Sequence, residues 1–222
     1  LVNNLHSSGE VEYALLNAIT VIRDMAGDAS YLKEVQNAIA RGEIIGPDIC
    51  YSALVAGDRF IQTSKKARMA TPDRYKPGQA PWMRAVTPQS DIASIIGDAK
   101  ASGAMAIKIY QDLSAPLVRR LTREAHRQGL RVWSHAAVFP ATAEDVIHAD
   151  VDTISHTALL LFPDDWDLAR DGALALRAEQ AQPRRLRNLF GYMRHHHMAL
   201  DPTLLVYSRM IKTPKESDPV MA

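Results

Sequence analysis

The feature that most constrains the fold is a regular alternation of helix-like and strand-like segments between residues 89 and 157. Apolar residues at helical spacing precede each of three short and continuous apolar runs. Runs of this kind are typical of strands buried on both faces of a parallel sheet. The alternation therefore predicts βαβ units, arranged either in a doubly wound sheet or in a barrel.

Each of the three runs carries one basic side chain near its C-terminal end. Lys108 lies in Ala-Met-Ala-Ile-Lys-Ile-Tyr, His135 ends Arg-Val-Trp-Ser-His, and His156 ends Asp-Thr-Ile-Ser-His. Burying such a group costs free energy unless it is satisfied or used. The C-terminal ends of parallel strands meet at one rim of a barrel, where TIM-type barrels place their active sites. We therefore predict that Lys108, His135 and His156 form one site.

The chemistry of these three side chains favours a metal site. Imidazole nitrogen suits zinc and similar divalent ions, and a catalytic site uses few protein ligands so that water keeps a position. A lysine ammonium would repel a cation, so Lys108 fits only as a neutral amine or after carboxylation by carbon dioxide. Two alternatives remain open: hydrogen-bonded core histidines, and a Schiff base between Lys108 and a carbonyl substrate.

The rest of the chain supplies further strand candidates, which begin near residues 18, 49, 104, 130, 151 and 199. The turn after the first candidate, Asp24-Met-Ala-Gly-Asp, has no Gly-rich phosphate pattern, which argues against a nucleotide fold. Polar residues at the ends of several strands favour the barrel instead. We predict an α/β fold with about six βα units of a TIM-type (β/α)8 barrel, which needs eight.

Residues 57–88 interrupt the alternation. This segment holds four prolines and seven basic residues against few acids. We interpret it as a long loop insertion within a single barrel domain spanning residues 1–222. Loops of this length are usually functional or disordered. The pattern is equally compatible with a solvent-exposed loop that has no role in the site and with a loop that covers the substrate.

Composition narrows the class of partner. Lys and Arg number 26 against 25 Asp and Glu, so the net charge of +1 marks neither a nucleic-acid nor a membrane-surface partner. No stretch approaches the roughly 18 apolar residues of a transmembrane helix. The expected protein is soluble, in the cytoplasm or the periplasm, and acts on a small molecule or small peptide. Its single cysteine, Cys50, forms no internal disulfide, and homo-oligomerisation is left open.

Five segments, taken in order, resemble the barrel strands of the amidohydrolase superfamily of metal-dependent hydrolases. The most similar branch is that of the imidazolonepropionase-like and Xaa-Pro dipeptidase-like enzymes. The matching segments correspond to the second, fourth, fifth, sixth and seventh strands of that family: Thr20-Val-Ile-Arg-Asp-Met, Ala106-Ile-Lys-Ile-Tyr, Glu124-Ala-His-Arg-Gln-Gly-Leu-Arg-Val-Trp-Ser-His, Val151-Asp-Thr-Ile-Ser-His and Pro202-Thr-Leu.

This resemblance implies a specific chemistry for the site. Lys108 would be carboxylated and would bridge two divalent ions, with zinc as the expected metal. His135 and His156 would hold one of these ions. The reaction would be hydrolysis of an amide-type C–N bond, in a small peptide or a cyclic amide, by a metal-activated water. Tyr110 and Thr203, near strand ends, are the candidates for contact with the substrate.

The chain also departs from the family pattern. The family's first strand carries a His-x-His pair, and the nearest approximation here is Asn4-Leu-His6, in a loop-like setting. The family's eighth strand carries an Asp, whereas Asp201 lies too early and Asp218 lies in the tail. We therefore expect strands two to seven of the barrel. The chain is then either an excerpt of a longer enzyme or a non-catalytic truncated fragment.

Overall fold

The computed structural model describes residues 8–161 and 182–204, whose strands pair into one sheet. In chain order the strands are β1 (Val21–Asp24), β2 (Asp48–Gly57), β3 (Gln79–Ala80), β4 (Met83–Val86), β5 (Ala106–Ile109), β6 (Arg131–His135), β7 (Thr153–Ser155) and β8 (Ala199–Asp201). The helices are α1 (Ser8–Leu16), α2 (Ala29–Ala40), α3 (Asp58–Thr63), α4 (Lys65–Met69), α5 (Ile92–Ala101), α6 (Ala115–Arg127), α7 (Ala143–Ile147), a 3-10 helix (Thr157–Leu161) and α8 (Pro183–His195).

The six predicted strands are confirmed as β1, β2, β5, β6, β7 and β8. They pair in parallel and in that order across the sheet, with a helix between successive members, as the βαβ prediction requires. The first strand begins at Val21 rather than near residue 18. At Ala18 the backbone is left-handed, with φ 59°, and this turn separates α1 from the strand.

The interpretation of residues 57–88 as an irregular loop is wrong. The segment contains α3, α4, β3 and β4, and β4 joins the sheet in parallel with the C-terminal half of β2. The prolines suggested a loop, but short apolar stretches between them pack into the core: Ile61 is 1% exposed and Met83 is fully buried. The amides of Asp48 and Leu54 point to the same side of β2. They donate hydrogen bonds to the carbonyls of the residues just before β1 and just before β4, respectively. Since β5 takes the other side, β4 lies end to end with β1.

The helices begin and end where local chemistry dictates. Thr142 and Asp145 form the predicted capping box at the start of α7, each side chain accepting a hydrogen bond from the other's backbone amide. Helix α6 begins with Pro116 in its first turn and ends before Gly129, whose φ of 81° suits glycine. In the described part of the chain, no helix has the length and apolar content to cross a membrane.

The two faces of the sheet differ in chemistry. The outer face packs against the helices in a large core of Ile, Leu, Val and Ala. The inner face holds a separate small apolar cluster of Met25, Ala106 and Trp133, with Cys50 packed against it, and also Leu54, the register partner of Lys108. Because side chains alternate along a strand, the strand register places these further residues on the inner face: Arg23, Ser52, Lys108, His135, Ser155 and Asp201.

The sheet is curved into part of a barrel. Strands β1 and β8 lie at opposite ends of the order β1-β2-β5-β6-β7-β8, yet Arg23 on β1 and Asp201 on β8 form an ion pair with a nitrogen–oxygen distance of 3.1 Å. A flat six-strand sheet would hold its end strands about 24 Å apart, at roughly 4.8 Å per step. The contact therefore crosses the interior of a strongly curved sheet.

Candidate active site

Three successive strands bring the predicted site residues together. Lys108 lies in β5, His135 ends β6, and His156 directly follows β7. The His135 and His156 rings lie with their centroids 4.6 Å apart. The Lys108 ammonium nitrogen donates to Ser155 Oγ at 2.9 Å, and Ser155 is the register partner of His135. The expected convergence of all three side chains at one rim is thus present in the fold.

His156 is held in an uncommon backbone conformation, with φ 72°. Its amide donates to the Asp201 carbonyl at 3.0 Å, and its Nδ1 lies 2.9 Å from Thr203 Oγ1. Thr203 Oγ1 also donates to the Pro202 carbonyl, and in that arrangement its oxygen accepts a hydrogen bond from Nδ1–H. A histidine that carries its proton on Nδ1 has its lone pair on Nε2, through which such a ring would bind a metal.

Lys108 is 1% exposed. Burial lowers the pKa of its amine to about 7, while the negative charge of Asp201 raises this pKa and the positive charge of Arg23 lowers it. A large fraction of the amine is therefore neutral near pH 7. A neutral amine has the lone pair needed to add carbon dioxide or to attack a carbonyl, which a surface lysine lacks at this pH.

The lowered pKa of Lys108 predicts a pH-dependent stability. In the unfolded chain the amine keeps its ordinary pKa of 10.5, so between about pH 7 and 10.5 the unfolded state binds more protons. Stability due to this group must then rise with pH across that window. We expect the wild-type protein to gain roughly 3–5 kcal/mol relative to Lys108→Met between these limits. Urea unfolding of both proteins, metal-free and in carbon-dioxide-free buffer, measures the difference; a constant difference would contradict the burial of a titrating amine.

An aromatic wall borders His135. The Tyr110 ring lies 4.5 Å from the His135 ring, and the Phe60 ring lies 5.5 Å from Tyr110. Burial raises the pKa of the Tyr110 hydroxyl, and the charge of Asp24 raises it further, so the phenol stays protonated. Tyr110 thus lies beside the site as predicted. Its contact with substrate, like that of Thr203, remains a prediction.

A close approach of two loops fixes this wall. The amide of Gly57 donates to the Gln111 carbonyl at 2.9 Å, and the Asp112 carboxylate accepts from the Arg59 amide at 3.0 Å. A side chain at Gly57 would overlap the Asp112 carbonyl oxygen. Glycine is therefore required at this position, since only its bare backbone lets the start of α3 pack against the loop after β5.

The sequence does not predict Arg23 and Asp201 as residues near the site. Arg23 belongs only to a family-like motif, and Asp201 lies too early in the chain to match the family's last strand. The structure places both on the inner face, where the Arg23 guanidinium also lies 5.0 Å from the Trp133 ring centre. A charged residue inside an apolar strand run was the available signal, and both residues carry it.

The donor set suits part of a metal site. His135 and His156 are adjacent imidazoles, and Lys108 would add an anionic oxygen pair if carboxylated. In residues 8–161 and 182–204 no group of three or more His, Cys, Asp or Glu side chains is arranged to hold a metal ion. These donors are chemically suited to a divalent ion, and the described residues supply only some of the ligands that such an ion would need. Asn4-Leu-His6 and Asp218 lie outside the described residues.

Comparison with known proteins supports the fold. No protein-family model and no curated sequence matches the chain. Among solved structures, ochratoxinase from A. niger has a TM-score of 0.63 at 18% identity, covering 90% of this chain and 45% of the other. A Xaa-Pro dipeptidase has 0.60 at 16% identity, covering 92% and 48%. Bottromycin amidohydrolase has 0.59 at 17% identity, covering 99% and 50%.

These likenesses confirm part of a TIM-type (β/α)8 barrel, and they confirm the resemblance drawn from the sequence at the level of the fold. The chain spans about half the length of each of these structures. The solved structures therefore bear on how the chain folds, while its own activity rests on the residues of the site.

Proposed function

We propose that this chain is the central part of an amidohydrolase-superfamily enzyme that hydrolyses amide-type C–N bonds in small peptides or cyclic amides. The observation that carries the proposal is the Lys108–His135–His156 cluster at the ends of β5, β6 and β7. A fully buried lysine with its pKa lowered to about 7 and bonded to the register partner of His135, together with two imidazoles whose ring centres lie 4.6 Å apart, is costly to maintain for stability alone. Strongly shifted groups of this kind concentrate at functional sites.

The proposed roles follow from the contacts of each residue. His135 and His156 would hold a divalent ion, with zinc as the expected metal. Carboxylated Lys108 would bridge this ion to a second divalent ion. Bound ions of this kind lower the pKa of water and polarise a carbonyl. Thr203 fixes the ring of His156. Ser155, which accepts from Lys108, fixes the end of the lysine side chain over the site. The Tyr110–Phe60 wall keeps one side of the site apolar.

Metal content tests the proposal directly. We expect about two divalent ions per chain in the full-length enzyme grown with zinc, measured by plasma emission spectrometry. His135→Asn and His156→Asn should each lose at least one ion because each removes a ligand. His148→Asn, an exposed histidine at the end of α7, is the control and should keep both. Absence of bound metal in the wild-type protein would contradict the proposed function.

Two observations favour alternatives to this function. The chain spans about half of the solved structures it resembles, which favours a non-catalytic fragment as the second candidate. Metal-dependent hydrolysis by the 222-residue chain alone would exclude this. The near-neutral pKa of Lys108 would also serve a Schiff-base lyase. Borohydride would then trap substrate on Lys108, whereas a carbon-13 carbamate signal from labelled bicarbonate supports the bridging role.

A further inference from the structure

The interior of this barrel carries charges where such barrels usually pack branched apolar side chains. Arg23 and Asp201 pair at 3.1 Å across it, with side chains 30% and 14% exposed. Trp133, on β6, lies under the guanidinium at 5.0 Å. Pairs in partly enclosed settings are screened less than surface pairs, so their charges act over several ångströms.

Both members of the pair act on the candidate site. Ser155, which accepts from Lys108, is the register partner of Asp201. The backbone of Asp201 binds the amide of His156. The ion pair holds the Arg23 guanidinium beside Asp201 on the same inner face. An uncompensated arginine here would raise the positive potential where cations are to bind.

We propose that Asp201 is the counter-charge of Arg23 inside the barrel, and that this compensation lets the Lys108–His135–His156 site accept divalent cations. The inference rests on the proposed function, because it assigns to the pair the control of metal affinity. Asp201 and Arg23 are positioning residues in this scheme, since neither needs to touch the substrate. This role predicts opposite changes in metal affinity when Arg23 and Asp201 are replaced. An ion pair that only holds β1 and β8 together predicts the same change for both replacements.

Zinc binding to the chelator-stripped protein, measured by isothermal titration calorimetry, tests the assignment. Asp201→Asn is isosteric and leaves Arg23 charged, so we expect affinity to fall at least about tenfold. Arg23→Gln removes the repulsion and frees a carboxylate, so affinity should equal or exceed that of the wild type. The double variant should return to within about threefold of the wild type. Equal losses in both single variants would instead indicate a structural clasp and overturn the proposal, as would an unchanged Asp201→Asn.

A metal-free measurement separates this proposal from the proposed function. Thermal unfolding of the four metal-stripped proteins reports on the ion pair itself. We expect each single variant to lower Tm by a few degrees, and the double variant to lose less than the sum of the two single losses. Strict additivity would overturn the charge compensation whatever the metal does. If the wild type binds no zinc but shows this coupling, the proposed hydrolase function and its metal site are contradicted. The role of Asp201 in cation binding is then contradicted as well.

Discussion

Replacing Lys108 with alanine is expected to lower turnover of small amide substrates at least about 1000-fold. Under the proposed function, bound metal ions would supply several kcal/mol of transition-state stabilisation, and the loss of a bridging ligand would remove much of it. Steady-state rates on a panel of dipeptides and cyclic amides, with wild-type protein as reference, measure the effect. Lys100→Ala is the matched control: Lys100 lies at the end of α5, where its amine donates to the Gln128 carbonyl, and its loss should leave the rates unchanged.

Chemical rescue distinguishes a bridging carboxylate from a structural lysine. Short carboxylic acids such as acetate and propionate can occupy the space that the truncated side chain leaves and supply the missing oxygens. We expect partial recovery of activity in Lys108→Ala, rising with acid concentration, and none in Lys108→Met, whose side chain fills the same space. Unchanged turnover in Lys108→Ala would refute the bridging role altogether.

Replacing Gly57 with alanine is expected to have the largest effect on stability outside the site. The added methyl group would overlap the Asp112 carbonyl oxygen, and backbone cannot yield as a flexible side chain can. We expect the free energy of unfolding to fall by about 2–3 kcal/mol, the usual cost of overpacking. Because Gly57 and Asp112 fix Phe60 beside Tyr110, substrate affinity should weaken as well. Urea denaturation and KM measurements report the two effects.

Gly97→Ala is the matched control for that variant. Gly97 lies within α5, and a methyl group there would meet only the Gln128 side-chain oxygen, at 3.8 Å. Alanine is favoured over glycine inside a helix, so stability should rise by about 0.5–1 kcal/mol. If Gly57→Ala is as stable as the wild type, the loops after β2 and β5 do not pack as closely as the structure places them.

Local pattern was sufficient to locate most elements. The helix α6 could be predicted because Pro116, its apolar stripe and Gly129 all agree, and α7 because Thr142 and Asp145 form a capping box. By contrast, the sequence pattern of residues 57–88 predicts a loop, whereas the segment contains helices and strands. Their order comes from Ile61 and Met83 packing into a core formed by distant strands, and no local periodicity records that packing.

By itself, the sequence determined the identity of the candidate ligands. Strand periodicity and a basic residue at three successive strand ends require only local chemistry, so Lys108, His135 and His156 could be named from it. Only the tertiary structure decided their environment. The pKa of Lys108, the contact of His156 with Thr203 and the pairing of Arg23 with Asp201 depend on burial and on contacts between residues up to 178 positions apart. Curvature of the sheet creates those contacts, and curvature is a property of all the strands together.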